Sequence, residues 1–249
     1  MDSTFLYLVS FTFEVLILTA AKDASDYLNY CPDAVYHKKV PGPEPELFGE
    51  CAPWKSRACC NSNSTVTFHN KSTWLNFNWN HCPNRTMSDK CKTRFLQDLC
   101  FYECSPNTGP WIQKVSMKIR NERPMNVPLC NSTCYKWWND CQNEYTCLNN
   151  WGKGFNWISG TNQCPASAVC RPFTEVFKDA TTFCNQIWDF AWQVVPDSEP
   201  CMKLQFNGSN PNDAVAQQKA RQLANRTNSK NADISVISLV AVLIIMLTV

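Results

Sequence analysis

Sixteen cysteines and ten tryptophans are the side chains with most to offer chemically, beside only three histidines, His37, His69 and His81. An even set of thiols serves either a disulfide framework or metal binding, and the cellular compartment decides between them. Cys100 and Cys104, like Cys130 and Cys134, are separated by three residues. That spacing suits two bridges leaving one helix face better than the closer, matched pairs of a zinc knuckle. No GxSxG elbow, HExxH helix, P-loop or GxGxxG occurs, so the expectation is a protein that is not an enzyme and holds no metal or cofactor.

All ten tryptophans lie between Trp54 and Trp192, inside the cysteine frame. Around Trp151 the chain reads NWGKGFNWISG, with aromatics alternating with glycines and one lysine. Such a loop can line a slot for a flat ligand, with Lys153 meeting an anionic end. Plain core packing is the competing account, since tryptophan offers a large apolar face with one polar handle.

The elements that would position these residues are mixed. Three segments read as helices: Lys90 to Cys104, with Phe95/Leu99 and Leu96/Cys100 four apart; Asn131 to Cys147; and Thr182 to Trp192. A fourth, polar helix is expected from Asp213 to Ala224. The remainder, rich in Pro, Asn and Gly, reads as loops and short strands. The cysteines run from Cys31 to Cys201 without a linker, so the fold class expected is a single disulfide-rich α+β domain with about eight bridges, each contributing about 2–4 kcal/mol.

The termini settle the compartment. Phe5 to Ala21 is an apolar run ending in small residues, as in a secretory signal peptide, although Asp2 and Glu14 are atypical. Ile234 to Val249 is apolar and uncharged, and it follows a polar stretch, Ala224 to Asp233. That order matches a glycosylphosphatidylinositol (GPI) attachment signal, with Asn225 to Ser229 as the expected site; a single-pass helix is the alternative. The expected domains are therefore 1–21 signal peptide, 22–224 ectodomain and 225–249 anchor signal, placing the protein on the extracellular face of the plasma membrane. Six Asn-x-Ser/Thr sequons, at Asn63, Asn70, Asn84, Asn131, Asn207 and Asn225, predict a glycoprotein. Net charge is +2, and loss of Asp2 and Glu14 with the leader leaves +4. That is too mild a charge for a nucleic-acid partner.

The segments ACC at 58–60, FNWNHC at 77–82, CFYECSPNTGPWIQ at 100–113, NVPLC at 126–130, WWNDC at 137–141 and WGKGFNW at 151–157 resemble the folate receptor family. The resemblance covers roughly residues 28 to 215. It implies the pairings Cys31–Cys59, Cys51–Cys100, Cys60–Cys104, Cys82–Cys170, Cys91–Cys141, Cys130–Cys201, Cys134–Cys184 and Cys147–Cys164. Spacing alone leaves the connectivity open.

The resemblance also implies a folate site. Asp98 would take the paired N–H donors of the pterin edge, a charge-assisted contact; its competing role is a surface pair with Arg94. Arg120 and Arg123 would reach the pterin carbonyl, or else form a solvated basic loop. Trp188 would stack on the ring, Lys153 and Trp157 would hold the glutamate tail, and Phe77, Trp79, Tyr102 and Trp151 would form walls.

Five positions depart from the family pattern. Leu75 replaces a stacking tyrosine, Ile119 a tryptophan, Gly152 a histidine, Phe155 a tryptophan and Ala191 a serine. The lost hydrogen bond is worth roughly 0.5–1.5 kcal/mol and the lost aromatic contacts about 1–3 kcal/mol. Folate affinity lower by about one to three decades is expected.

The resemblance implies a receptor that binds folate or reduced folate for uptake by endocytosis, tethered to the outer leaflet. The family also contains riboflavin-binding proteins and the egg-surface protein Juno. The alternative is therefore a Juno-type adhesion protein in fertilization, with a protein partner on sperm and a lapsed pocket. Retention of Asp98, Arg120, Arg123 and Lys153 favours the first reading, because a lapsed pocket should shed an unpaired buried charge.

Overall fold

The computed structural model describes residues 22–70 and 73–229. The expected signal peptide and residues 230–249 of the anchor signal lie outside the described residues. The chain divides into two compact units, Leu28–Ala216 and Met1–Tyr27 with Gln217–Val249. In the second, Ala24–Tyr27 form one 3₁₀ turn, and the Lys22 ammonium lies 5.4 Å from the Tyr27 ring centre.

The first unit holds every cysteine. It is an α+β domain of helices, short strands and loops, fastened by eight disulfides with no free thiol. Each cysteine has the partner named above. The helices are α1 (Ser62–Asn70), α2 (Asp89–Cys104), α3 (Asn131–Cys141), α4 (Phe173–Val176) and α5 (Ala180–Gln186). A sixth, α6, covers 212–216 of this unit, and residues 217–229 of the other unit are also helical, so the helical residues extend beyond both expected ends, Asp213 and Ala224. Ser88 caps α2 by accepting a hydrogen bond from the Cys91 N–H, which satisfies one of the orphan donors of the first turn.

The strands pair two by two. β1 (Thr73–Trp74) and β2 (Phe77–Asn78) form a tight hairpin, and β3 (Ile112–Met117) and β4 (Arg120–Pro124) a longer one. β6 (Tyr145–Thr146) pairs antiparallel with β7 (Arg171–Pro172). β5 (Val127–Cys130) runs parallel to β8 (Trp192–Val195), with Val127 opposite Trp192.

Disulfides do much of the joining that a larger sheet would otherwise do. Cys91–Cys141 ties α2 to α3, and Cys134–Cys184 ties α3 to α5. Between these helices Trp137 meets Phe95 and Phe183 edge-on, each with ring centres 5.1 Å apart. Each fully buried large apolar side chain contributes about 1.5–3 kcal/mol.

Two expected helices are shorter than the pattern implied. The segment expected to run to Cys147 stops at Cys141; Glu144 turns back to the Cys141 carbonyl, and Tyr145 joins β6. The helix expected to reach Trp192 stops at Gln186. Asp189 and Phe190 take φ of 53° and 60°, which breaks the helix and delivers Trp192 to β8.

Candidate functional site

The site is assembled from five places in the chain. Helix α2 presents Phe95, Asp98 and Tyr102, spaced three and four apart and so near one face. The β1–β2 hairpin presents Leu75 and Phe77, with Trp79 just beyond. Strand β4 carries Arg120 and Arg123. The loop closed by Cys147–Cys164 carries Trp151, Lys153, Phe155 and Trp157, and the turn after α5 carries Trp188.

Phe77 is the hub of the aromatic set. Its ring centre lies 5.0 Å from Trp79, 5.6 Å from Trp151, 5.8 Å from Trp188, 5.9 Å from Phe155 and 6.4 Å from Trp157. Trp151 stacks on Phe95 at 4.9 Å and 11°. Phe77, Trp79, Trp151 and Phe155 are buried, Trp188 is half-buried and Trp157 is exposed. Leu75 is half-buried at the first turn position of its hairpin, with φ of 49°, and Asn76 follows at 60°. Two positive φ values mark the turn class that matches hairpin twist; leucine pays for that conformation sterically.

Asp98 is buried, and its Oδ1 accepts a 2.7 Å hydrogen bond from the Trp192 indole N–H. Burial raises its carboxyl to about 7, against the pull of Trp192. The Trp188 indole pulls in the same direction, but its Nε1 makes no well-aligned hydrogen bond. The pair considered for Asp98 does not form: Arg94 instead binds Asp140 at 2.7 Å.

The two arginines differ in their engagements. Arg120 donates to the Tyr102 hydroxyl at 3.2 Å, and its buried Nε has no partner. Among the described residues it makes no ion pair. Arg123 is fully engaged: Nη1 donates to Asp189 Oδ2 at 2.7 Å, and Nη2 to the Trp188 and Asp189 carbonyls at 2.8 and 2.7 Å. Lys153 reaches the same Asp189 Oδ2 at 2.9 Å, and Asn150 donates to Oδ1 at 2.8 Å. Burial pushes Asp189 up, but hydrogen bonds from Lys153, Asn150 and Arg123 outweigh it and bring its carboxyl to about 2.

The structure therefore sets Asp98 beside Trp188 and Trp192 and Tyr102 beside Arg120 and His37, and it gathers Arg123 and Lys153 at one acid. The sequence reading missed Asp189, Asn150, Trp192, Phe95 and His81. His81 backs the wall, edge-on to Trp151 at 5.0 Å and Phe155 at 4.9 Å, with Nε2 3.0 Å from the Thr146 hydroxyl. Burial lowers His81 to about 4, so it stands there neutral. The WDFAW run held the only signal for Asp189 and Trp192: a carboxylate between aromatics at the end of an apolar helix.

Of the sequons, Asn63, Asn84, Asn207 and Asn225 are exposed and Asn131 is half-buried. The Asn70 side chain lies outside the described residues.

An aromatic cluster, a buried carboxyl and two cations on one acid thus share one disulfide-fastened domain. The chain belongs to the folate receptor family, whose model matches residues 30–203. It is 44% identical to human folate receptor gamma over 203 residues, 79% of this chain and 82% of that one. It is 46% identical to human folate receptor alpha over 198 residues, 77% and 76% of the two chains. The riboflavin-binding protein of Gallus gallus is 31% identical over 181 residues, 71% of each. The fold is thus one consistent with folate or pterin binding.

Proposed function

We propose that the protein is a cell-surface receptor for folate or a related pterin. It would be tethered by a GPI anchor at the end of an ectodomain spanning residues 22–224, and it would carry its ligand inward by endocytosis. The observation that carries this reading is Asp98, a buried carboxyl beside the aromatic cluster and one helical turn from Tyr102, which positions Arg120. A 2-amino-4-oxo pyrimidine edge offers two donors to a carboxylate and a carbonyl to a guanidinium. Phe77 and Trp188 supply faces for the ring. The names of the related folate receptors support the same ligand class.

The test is calorimetric titration of the purified, detergent-solubilised chain with folic acid, beside Asp98→Ala. The expected result is a Kd below about 1 μM that Asp98→Ala weakens by two decades or more. No binding by correctly bridged protein would sink the reading. An adhesion role would then lead, and one observation favours it: Trp157 and Ile158, at 46% and 93% exposure, stand side by side on a turn closed by Gly160 N–H to the Trp157 carbonyl.

A further inference from the structure

Asp189 has no place in the reading above, yet it organises the charge of the site. Three cations belong to the candidate site: Arg120 at Tyr102, Arg123 at the Trp188 carbonyl and Lys153 at Asp189. Arg123 and Lys153 contact the same carboxylate oxygen, at 2.7 and 2.9 Å. Their charged nitrogens are therefore no further apart than the sum of those two contacts. An elongated ligand with a carbonyl at one end and carboxylates at the other cannot take Arg123 at the first and Lys153 at the second while both are gathered there. The arrangement is well built. Asp189 is 6% exposed, Asn150 fills its other oxygen, and Arg123 also grips the backbone of Trp188 and Asp189. The backbone itself is committed, with positive φ at Asp189 and Phe190.

Gly152 is the second half of the device. A Cβ there would lie 3.1 Å from the Asp189 Cβ and 3.2 Å from Asn150 Oδ1. Both distances are tighter than ordinary packing, so the absence of a side chain lets the Lys153 loop close on Asp189. What remains for a ligand is Asp98, which accepts donors, and Arg120, which has no ion pair among the described residues. Any ligand carboxylate drawn toward Lys153 meets the Asp189 charge and must compete with it for the same ammonium.

We propose that Asp189 is a specificity-determining residue which neutralises Arg123 and Lys153 and so weakens the site's preference for pterins that carry tail carboxylates over those without them. This rests on the pterin reading of the site.

The test uses the full chain, purified in detergent, with tryptophan fluorescence quenching as the readout. The probes are folic acid and 6-methylpterin, which share the head group and differ in the anionic tail. In the unmodified protein the preference for folic acid is expected to be less than tenfold. Asp189→Asn should raise the folic acid to 6-methylpterin affinity ratio at least tenfold. Adding Lys153→Met should erase that gain, and Lys153→Met should weaken folic acid at least tenfold more in the Asp189→Asn background than alone.

A preference for folic acid of tenfold or more in the unmodified protein overturns the proposal, and this arm stands even if Asp189→Asn fails to fold. So does an unchanged ratio in folded Asp189→Asn. In both cases bound 6-methylpterin leaves the pterin reading intact. Failure of both probes to bind correctly bridged protein overturns that reading and this inference with it.

Discussion

On the proposed reading, the Asp98 carboxyl would couple pterin binding to protons. Burial lifts it to about 7, so without ligand it is half protonated near neutrality. A ligand edge that presents two donors binds the ionised form, so binding expels the proton. The sign follows: affinity falls as pH drops below about 7, by about tenfold per unit until the bound-state pKa is reached. Titration at pH 7.4 and 5.5 should show a loss of about 20- to 30-fold, and equal affinity at both would contradict the role. The Trp192 indole N–H steadies the carboxylate at 2.7 Å. Trp192→Phe removes that donor and should move the midpoint of the pH profile upward, with weaker binding at neutral pH. Asp98 was legible from its surrounding motif. Trp192 was not, because the helical spacing that put it on an apolar stripe carries no sign that the chain turns at Asp189.

Turns account for the other differences between sequence and structure. The helix expected over Lys90 to Cys104, which the structure starts at Asp89, was legible because its apolar positions repeat at helical spacing. The helices ending at Cys141 and Gln186 were overestimated because aromatic and cysteine residues continue the pattern past the true end. There, disulfides and short strands use them instead. The pairing of β5 with β8 joins residues far apart in sequence, and no local pattern announces it. Gly49 shows what such a junction demands. It has φ of +55°, and a Cβ there would lie 2.5 Å from His69 Nε2, the nitrogen that faces Glu50. Gly49→Ala combines a left-handed backbone with displacement of that ring. It should cost about 1–3 kcal/mol, read as a lower thermal midpoint, while Gly208→Ala, with open space around its Cβ position, should cost only the backbone strain of about 1 kcal/mol.

At the scale of the whole molecule, eight disulfides allow the domain to bury groups that a less constrained fold would expel. Glu103, one residue beyond Tyr102, is buried with Oε2 unpartnered. His37 Nδ1 lies 3.8 Å away, also unpartnered, while its Nε2 meets the Tyr102 carbonyl at 3.0 Å. Burial raises Glu103 to about 8, despite Arg120, and burial lowers His37. The pair is therefore a neutral contact rather than an ion pair. The two kinds of group tilt stability in opposite directions. Asp98 and Glu103 have folded pKa values above their unfolded ones of 3.8 and 4.5. Their contribution is fully present below those values and is lost as pH rises through about 7 and 8. His37 and His81 have folded values below 6.5, so theirs is present above 6.5 and lost as pH falls.

Above about pH 7 the histidines are largely neutral in both states and the carboxyl effect dominates, so the protein should lose stability between pH 7 and 8. Glu103→Gln keeps the shape and removes the titration. It should raise the thermal midpoint at pH 8, where the native fold otherwise holds a proton the unfolded chain has released, by the equivalent of a few kcal/mol. At pH 4, where glutamate is mostly protonated in both states, the substitution should change the midpoint little. A midpoint shift of equal size at both pH values would mean that packing, not the buried proton, sets the effect.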